Sequence, residues 1–217
     1  MAGIFMAKVK PGDMVILEYT GRLAKSGQVF DTTDDSVARS AGIYSQDEIY
    51  GPRHALFGAG GMIAGVSEAI LASEPGKAQE FHIMPEKAFG MRAPDLVRMI
   101  PEKEFRAQQV RPVPGMVVSL DNALARVKSV TSGRVVVDFN HPFAGEEVVY
   151  SIRVHEVISD DQKKIERILA TLGVNAKISK TSASFSIEFE KGTPEDKIAR
   201  AKSAIASMLP GAGFREK

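Results

Sequence analysis

Four histidines, His54, His82, His141 and His155, are the residues best suited to hold a metal or move a proton. They are scattered, and no pair has the spacing of metal ligands on one turn or helix. The sequence has no cysteine, which removes disulfides, thiolate metal sites and a cysteine nucleophile. No Gly-x-Ser-x-Gly occurs, so serine hydrolysis has no support. The stretch GAGGMIAG, residues 58–65, resembles a phosphate loop only at first sight. A dinucleotide fingerprint needs glycine where Ile63 stands, and a P-loop needs Lys then Ser or Thr where Val66-Ser67 stands. A tight turn feeding a helix accounts for these glycines.

What remains is a set of rings around one acid: Tyr19, Phe30-Asp31, Phe89-Gly90 and Tyr150. Such a set can line a dry pocket for a planar, weakly polar group. The same rings can also simply fill a core, as most aromatic residues do. Periodicity alone leaves both readings open.

The elements that position these rings follow from local pattern. MVILEYTGRL alternates, with Val15, Leu17 and Tyr19 on one face, and it reads as a strand. VFDTT returns after a loose loop, so residues 14–33 form a hairpin. Residues 34–52 are polar and mixed, a long flap carrying a short helix. Ile63, Val66 and Ile70 lie at i, i+3 and i+7, a short helix ended by Pro75-Gly76. AQEFHIM is a strand. Residues 85–115 are rich in Pro and charge and read as a crossing linker with short helical turns. Three strands follow, MVVSL, ALARVKSV and RVVVDF, as a small antiparallel module. EEVVYSIRVHEV is a long strand with Val148, Tyr150, Ile152 and Val154 on one face. Residues 159–217 read helix–strand–strand–helix. Asp160-Asp161 and Gly173 bound the first helix, and Thr193 caps the second with Pro194 at its first position.

Composition excludes several classes. The net charge is +1, with no basic field to attract nucleic acid. No apolar run is long enough to span a bilayer, and the apolar stretch at the N-terminus is too short for a signal peptide. The expectation is a soluble cytoplasmic protein. Residues 159–217 carry eleven Lys or Arg against eight Asp or Glu, too mild an excess for RNA. Self-association, as a homodimer, or docking fits that segment better.

Four stretches together resemble the FKBP-type peptidyl-prolyl cis-trans isomerases: EYTGRLAKSGQVFDTT, GAGGMIAGVSEAI, MPEKAFG and NHPFAGEEVVYSIRVHEV. The resemblance covers about residues 8–158. The stretch between Gly90 and Asn140 resembles the insert-in-flap domain of the SlyD-like branch. AGIYSQDEIYGP and the tail resemble the long archaeal members of that branch. The fold implied is α+β: an antiparallel half-barrel sheet around a short helix, an inserted small β domain, and a C-terminal α-β-β-α domain. The implied boundaries are 1–90 with 138–158, then 91–137, then 159–217.

The resemblance implies that Tyr19, Phe30, Asp31, Met62, Ile63, Val66, Phe89 and Tyr150 line an isomerase pocket. Phe57, His141 and Phe143 are implied substrate contacts. Two departures stand out. The family often has an aromatic residue at the position of Val66, and Ala-Tyr-Gly is here Ala88-Phe89-Gly90, without the tyrosine hydroxyl. The implied activity is acceleration of X–Pro rotation in unfolded or nascent proline-containing chains. The barrier is about 18–20 kcal/mol, set by amide resonance. A dry aromatic pocket disfavours the planar polar amide relative to the twisted one. That chemistry needs no metal and no cofactor. The backbone N–H of Ile63 can hold a substrate carbonyl, and Asp31 either orients polar groups or meets the twisting amide. The insert implies chaperone-type client binding, to which Met91, Met99 and Met116 are suited. A holdase with weak isomerase activity is the alternative.

Overall fold

A computed structural model describes residues 8–56, 62–120, 122–180 and 184–216. By packing, the chain divides into two units: residues 84–148, and the segments on either side of them. It is an α+β protein whose strands lie in three sheets.

The first sheet is built on β1 (Met14–Leu23) and returns through β2 (Val29–Thr32). Helix α1 (Asp35–Ser40) follows, its first N–H groups capped by the Asp34 carboxylate. Strand β3 (Arg53–Leu56) pairs with the first half of β1, and β2 with its second half. Helix α2 (Ala64–Ala72) buries Val66, Ala69 and Ile70. It ends at Ser73, whose hydroxyl donates to the Ile70 carbonyl. Strand β4 (Ala78–Ile83) completes this part.

Residues 84–148 are a module with its own core. It contains β5 (Val97–Pro101), α3 (Glu102–Ala107), β6 (Val117–Leu120), β7 (Ala123–Thr131) and β8 (Arg134–Asp138). The sheet order is β5-β8-β7-β6, all antiparallel. Val127, Val135 and Val137 are buried with Phe105 of α3, each worth about 1.5–3 kcal/mol of burial. The crossing linker expected before the three strands thus contains a fourth strand, β5. It is a sheet edge, exposed along most of its length and closed by Pro101, so it shows no alternation.

The corner at Asn140-His141-Pro142 ties this module's two ends together. The Asn140 amide accepts from the Ala93 N–H at 2.8 Å and donates to the Ala93 carbonyl at 3.0 Å and to Asp138 at 2.8 Å. Arg92 pairs with the buried Asp138, and the Gly145 N–H donates to the Gly90 carbonyl at 2.8 Å. Residues 84–90 and 138–148 therefore pack with the insert.

Strand β9 (Val148–Ile158) then returns to the first sheet, giving the order β2-β1-β9-β4. Helix α4 (Asp161–Leu172) is capped by Asp160 and stopped by Gly173 in the left-handed conformation, φ +60°. Strands β10 (Ala176–Lys180) and β11 (Phe185–Phe189) form a hairpin. Helix α5 (Glu195–Met208) packs Ile198, Ala201 and Ile205 against Ile165, Leu169 and Ile187. A further strand, β12 (Gly213–Glu216), lies parallel to β11. With one apolar residue between Gly213 and Arg215, it had no readable period. The Thr193 cap is corrected: Pro194 is the N-cap, no side chain caps α5, and the Thr193 hydroxyl donates to the Glu190 carbonyl.

The C-terminal segment also explains why the first half of β1 is buried on both faces. Met14 and Ile16 pack with Ile158, and Ile168 and Met208 lie against them. Lys164, 6% exposed, donates to the Gly12 carbonyl at 2.7 Å and to Asp161 at 2.8 Å. Arg167 pairs with Glu156. Lys164→Ala leaves the Gly12 carbonyl without this donor and should lower stability by about 1–3 kcal/mol, measured by urea denaturation. An unchanged midpoint would mean that α4 is held by its apolar contacts alone.

Candidate active site

Four of the expected pocket residues meet in the first sheet. The Tyr19 hydroxyl donates to Asp31 Oδ2 at 2.9 Å, across the β1–β2 pairing. The Tyr150 ring, brought in by β9, stands 5.9 Å from the Tyr19 ring and 5.9 Å edge-on from the Phe30 ring. These are the tilted and edge-to-face geometries that aromatic quadrupoles favour. The array thus places one carboxylate among three rings.

Two residue types that sequence reasoning passed over hold the array in place. Gly21, buried in β1, lies under it. A Cβ there would sit 2.9 Å from Tyr150 Cζ and 3.0 Å from Phe30 Cε2. Only glycine lets both rings approach the strand so closely, and the register also shifts at Gly21/Arg22. A glycine inside an alternating strand was the available signal. The second is the pair Thr32-Thr33. The Tyr19 N–H donates to Thr33 Oγ1 at 3.0 Å, and the Thr33 N–H donates to the Tyr19 carbonyl at 3.0 Å. The Thr32 hydroxyl donates to the same carbonyl at 3.3 Å. These bonds fix the backbone from which Tyr19 reaches Asp31.

The surroundings keep both phenols neutral. Burial, then the Asp31 charge and the hydrogen bond to it, push the Tyr19 pKa up to about 12. Burial, then Asp31 and Tyr19, push Tyr150 in the same direction. The rings therefore offer hydroxyl groups over any physiological pH.

The other expected residues are placed as follows. Ile63 is the N-cap of α2; its carbonyl accepts from the Val66 and Ser67 N–H groups, and no side chain caps the helix. Val66 is buried at 6% exposure, while Met62 and Ile63 are half-buried. Phe57 lies outside the described residues. Phe89, His141 and Phe143 form a second cluster, inside the unit of residues 84–148. His141 stacks on Phe89 with centroids 4.5 Å apart and planes 3° from parallel. Phe143 stands 5.4 Å from Phe89 and 5.6 Å from His141. The Phe143 N–H donates to His141 Nδ1 at 3.2 Å. His54 and His155 have structural neighbours: Thr171 at 3.3 Å and Glu18 at 2.7 Å.

The chain is 34% identical over 149 residues to the short-type peptidyl-prolyl cis-trans isomerase of Methanocaldococcus jannaschii, covering 69% of this chain and 94% of that protein. It is 28% identical over 152 residues to the FKBP-type peptidyl-prolyl cis-trans isomerase SlyD of Aeromonas hydrophila, covering 69% and 65%. To the SlyD of Helicobacter pylori it is 27% identical over 106 residues, covering 48% and 57%. Residues 98–143 match the family described as FKBP26, IF domain. Among solved structures, the three FKBP domains of wheat FKBP73 align with 71% of this chain and 42% of that one, at 17% identity and a TM-score of 0.37. The chain belongs to the FKBP-type peptidyl-prolyl cis-trans isomerases. Among the described residues, no helix is long and apolar enough to cross a membrane.

Two measurements test the array. Gly21→Ala forces the Tyr150 and Phe30 rings outward and should cost about 1–3 kcal/mol of stability, with a fall in kcat/KM for a proline peptide. Wild-type behaviour in both would remove the close approach as a constraint. Because the folded Tyr19 pKa stands above its ordinary 10.0, its share of stability is full below pH 10 and lost as pH rises through about 12. Denaturation midpoints should therefore decline across that window, and less steeply in Tyr19→Phe. Equal slopes in the two proteins would contradict the assignment.

Proposed function

We propose that Tyr19, Phe30, Asp31 and Tyr150, with Met62, Ile63 and Val66 of the α2 start, bind and twist the X–Pro bond of unfolded or nascent cytoplasmic chains. The ring array around Asp31 carries this reading. It offers a dry surface for the prolyl ring and a fixed dipole in the Tyr19–Asp31 pair, without a nucleophile. The Ile63 N–H at the helix start is suited to hold a substrate carbonyl. Phe89, His141 and Phe143, which cluster within residues 84–148, we propose as a separate contact for substrate chains. Uncatalysed X–Pro rotation takes about tens to hundreds of seconds, long enough to limit folding.

The insert-in-flap module supplies the second half of the proposal, chaperone-type client binding. Among the described residues, eight of twelve exposed large apolar side chains lie within 84–148. They include Met91, Met99, Val117 and Leu124, the last 72% exposed. Methionine-rich, adaptable patches suit varied partners. A groove of about 760 Å³ joins Val117, Leu124 and Phe139 to the cations Arg92, Arg126 and Lys128. Strand β6 is a sheet edge on which an extended segment can pair. Holding a client in this way raises its concentration at the ring array. A holdase with weak isomerase activity is the second reading. Val66 and Phe89 favour it, because the family more often has an aromatic ring and a tyrosine hydroxyl there.

Residues 159–217 we read as a docked cover for the outer face of β1. Their helical stripes face their own sheet, so a homodimer through this segment would use the open edges of β10 and β12.

Replacing residues 91–137 by a short glycine linker separates the readings. Cis/trans exchange of a short peptide should persist, while suppression of aggregation and catalysed refolding of a whole protein fall. Tyr150→Ala in the full chain should cut peptide exchange by about tenfold or more, a rise of ~1.4 kcal/mol in the barrier. Unchanged exchange in Tyr150→Ala would remove the ring array as the proline site, and little exchange by the natural chain, with aggregation still suppressed, would establish the holdase reading instead. Light scattering of the full chain tests the dimer: one chain per particle removes it.

A further inference from the structure

Asp31 also lines a second space, apart from its bond to Tyr19. Phe30, Asp31, Ile43, Glu48, Tyr50 and Arg53 enclose a cavity of about 160 Å³ under the flap between β2 and β3. Sites for whole drug-sized ligands measure about 300–1,000 Å³, so this one has room for a single side chain.

The flap that roofs the cavity is braced. The Arg39 guanidinium sits 3.6 Å over the Tyr44 ring, and Tyr44 stacks on Tyr50 with centroids 5.3 Å apart. The Ser45 N–H donates to the Tyr50 hydroxyl at 3.0 Å, and the Gly51 N–H donates to the Thr33 carbonyl at 2.7 Å. Tyr50 and Ile43 are thereby held as walls. The charged groups facing the space are Asp31, Glu48 and Arg53. Glu48 and Arg53 pair at 2.7 Å, which leaves the lining with one negative charge.

We propose that this cavity is a side-chain subsite of the isomerase, and that it selects a lysine or arginine neighbouring the substrate proline. The inference rests on the ring array being the proline site, since Phe30 and Asp31 are walls of both. The aliphatic stem of the cation lies on Phe30, Ile43 and Tyr50, and its head meets Glu48 and Asp31. An acidic neighbour meets the same carboxylates and is disfavoured.

The test uses the full chain and two peptide series, with Lys, Arg, Leu or Glu immediately before or immediately after proline. Cis/trans exchange gives kcat/KM for each at low and high ionic strength. In at least one series the Lys and Arg peptides should exceed the Glu peptide by about threefold to fivefold, the scale of an exposed ion pair. The ratio should shrink at high salt and in Glu48→Gln. Equal rates at both positions overturn the subsite and leave the isomerase intact. A preference for Glu, or one indifferent to salt, does the same. If no peptide is accelerated, the ring array itself is not the proline site. Should Glu48→Gln fail to fold, the salt series on the natural chain decides.

Discussion

The hydrogen bond from Tyr19 to Asp31 ties the structure to its chemistry. A carboxylate among aromatic rings is costly unless a donor meets it, and Tyr19 is that donor at 2.9 Å. The bond requires β1 and β2 to pair as they do, with Gly21 opposite Asp31. It requires Tyr150 to arrive on β9, since that ring completes the shell. The rings then require glycine at position 21, because a Cβ there would collide with two of them. The threonines after Asp31 hold the Tyr19 backbone to the same register.

That dependence explains why the chain tolerates a long insertion. Tyr150 must return to a strand that began at Met14, but nothing restricts how far the chain travels in between. A module with its own valine core can sit between β4 and β9 if its two ends are held together. Asn140, Arg92 and Asp138 do this, clasping residues more than forty positions apart. The Asn-His-Pro corner, which could pass for a ligand cluster, is a clasp with His141 stacked on Phe89.

Much of this was readable from local pattern. The β1–β2 hairpin, α2, β9 and α4 announce themselves through alternation, helical spacing and caps, because each has one clear buried face or a marked end. Strand β5 does not, being an exposed edge between prolines. Strand β12 does not, having one apolar residue. The burial of Met14 and Ile16 was also hidden, since their partners Ile168 and Met208 lie some 150 and 190 positions on. At the site, periodicity could not separate a pocket from a core. Tyr19, Phe30, Asp31 and Tyr150 stand out as rings around one acid, family resemblance implies that they line a pocket, and the geometry brings these four together. Gly21 and Thr33 were missed because their roles exist only once the strands pair.

The central claim is that Tyr19 and Asp31 act as one unit. A double-mutant cycle on kcat/KM for a proline peptide, with Tyr19→Phe, Asp31→Ala and the double variant, tests it most directly. The account predicts strong coupling, with the double variant little worse than Asp31→Ala alone. Losses that simply add would show two independent side chains and contradict it.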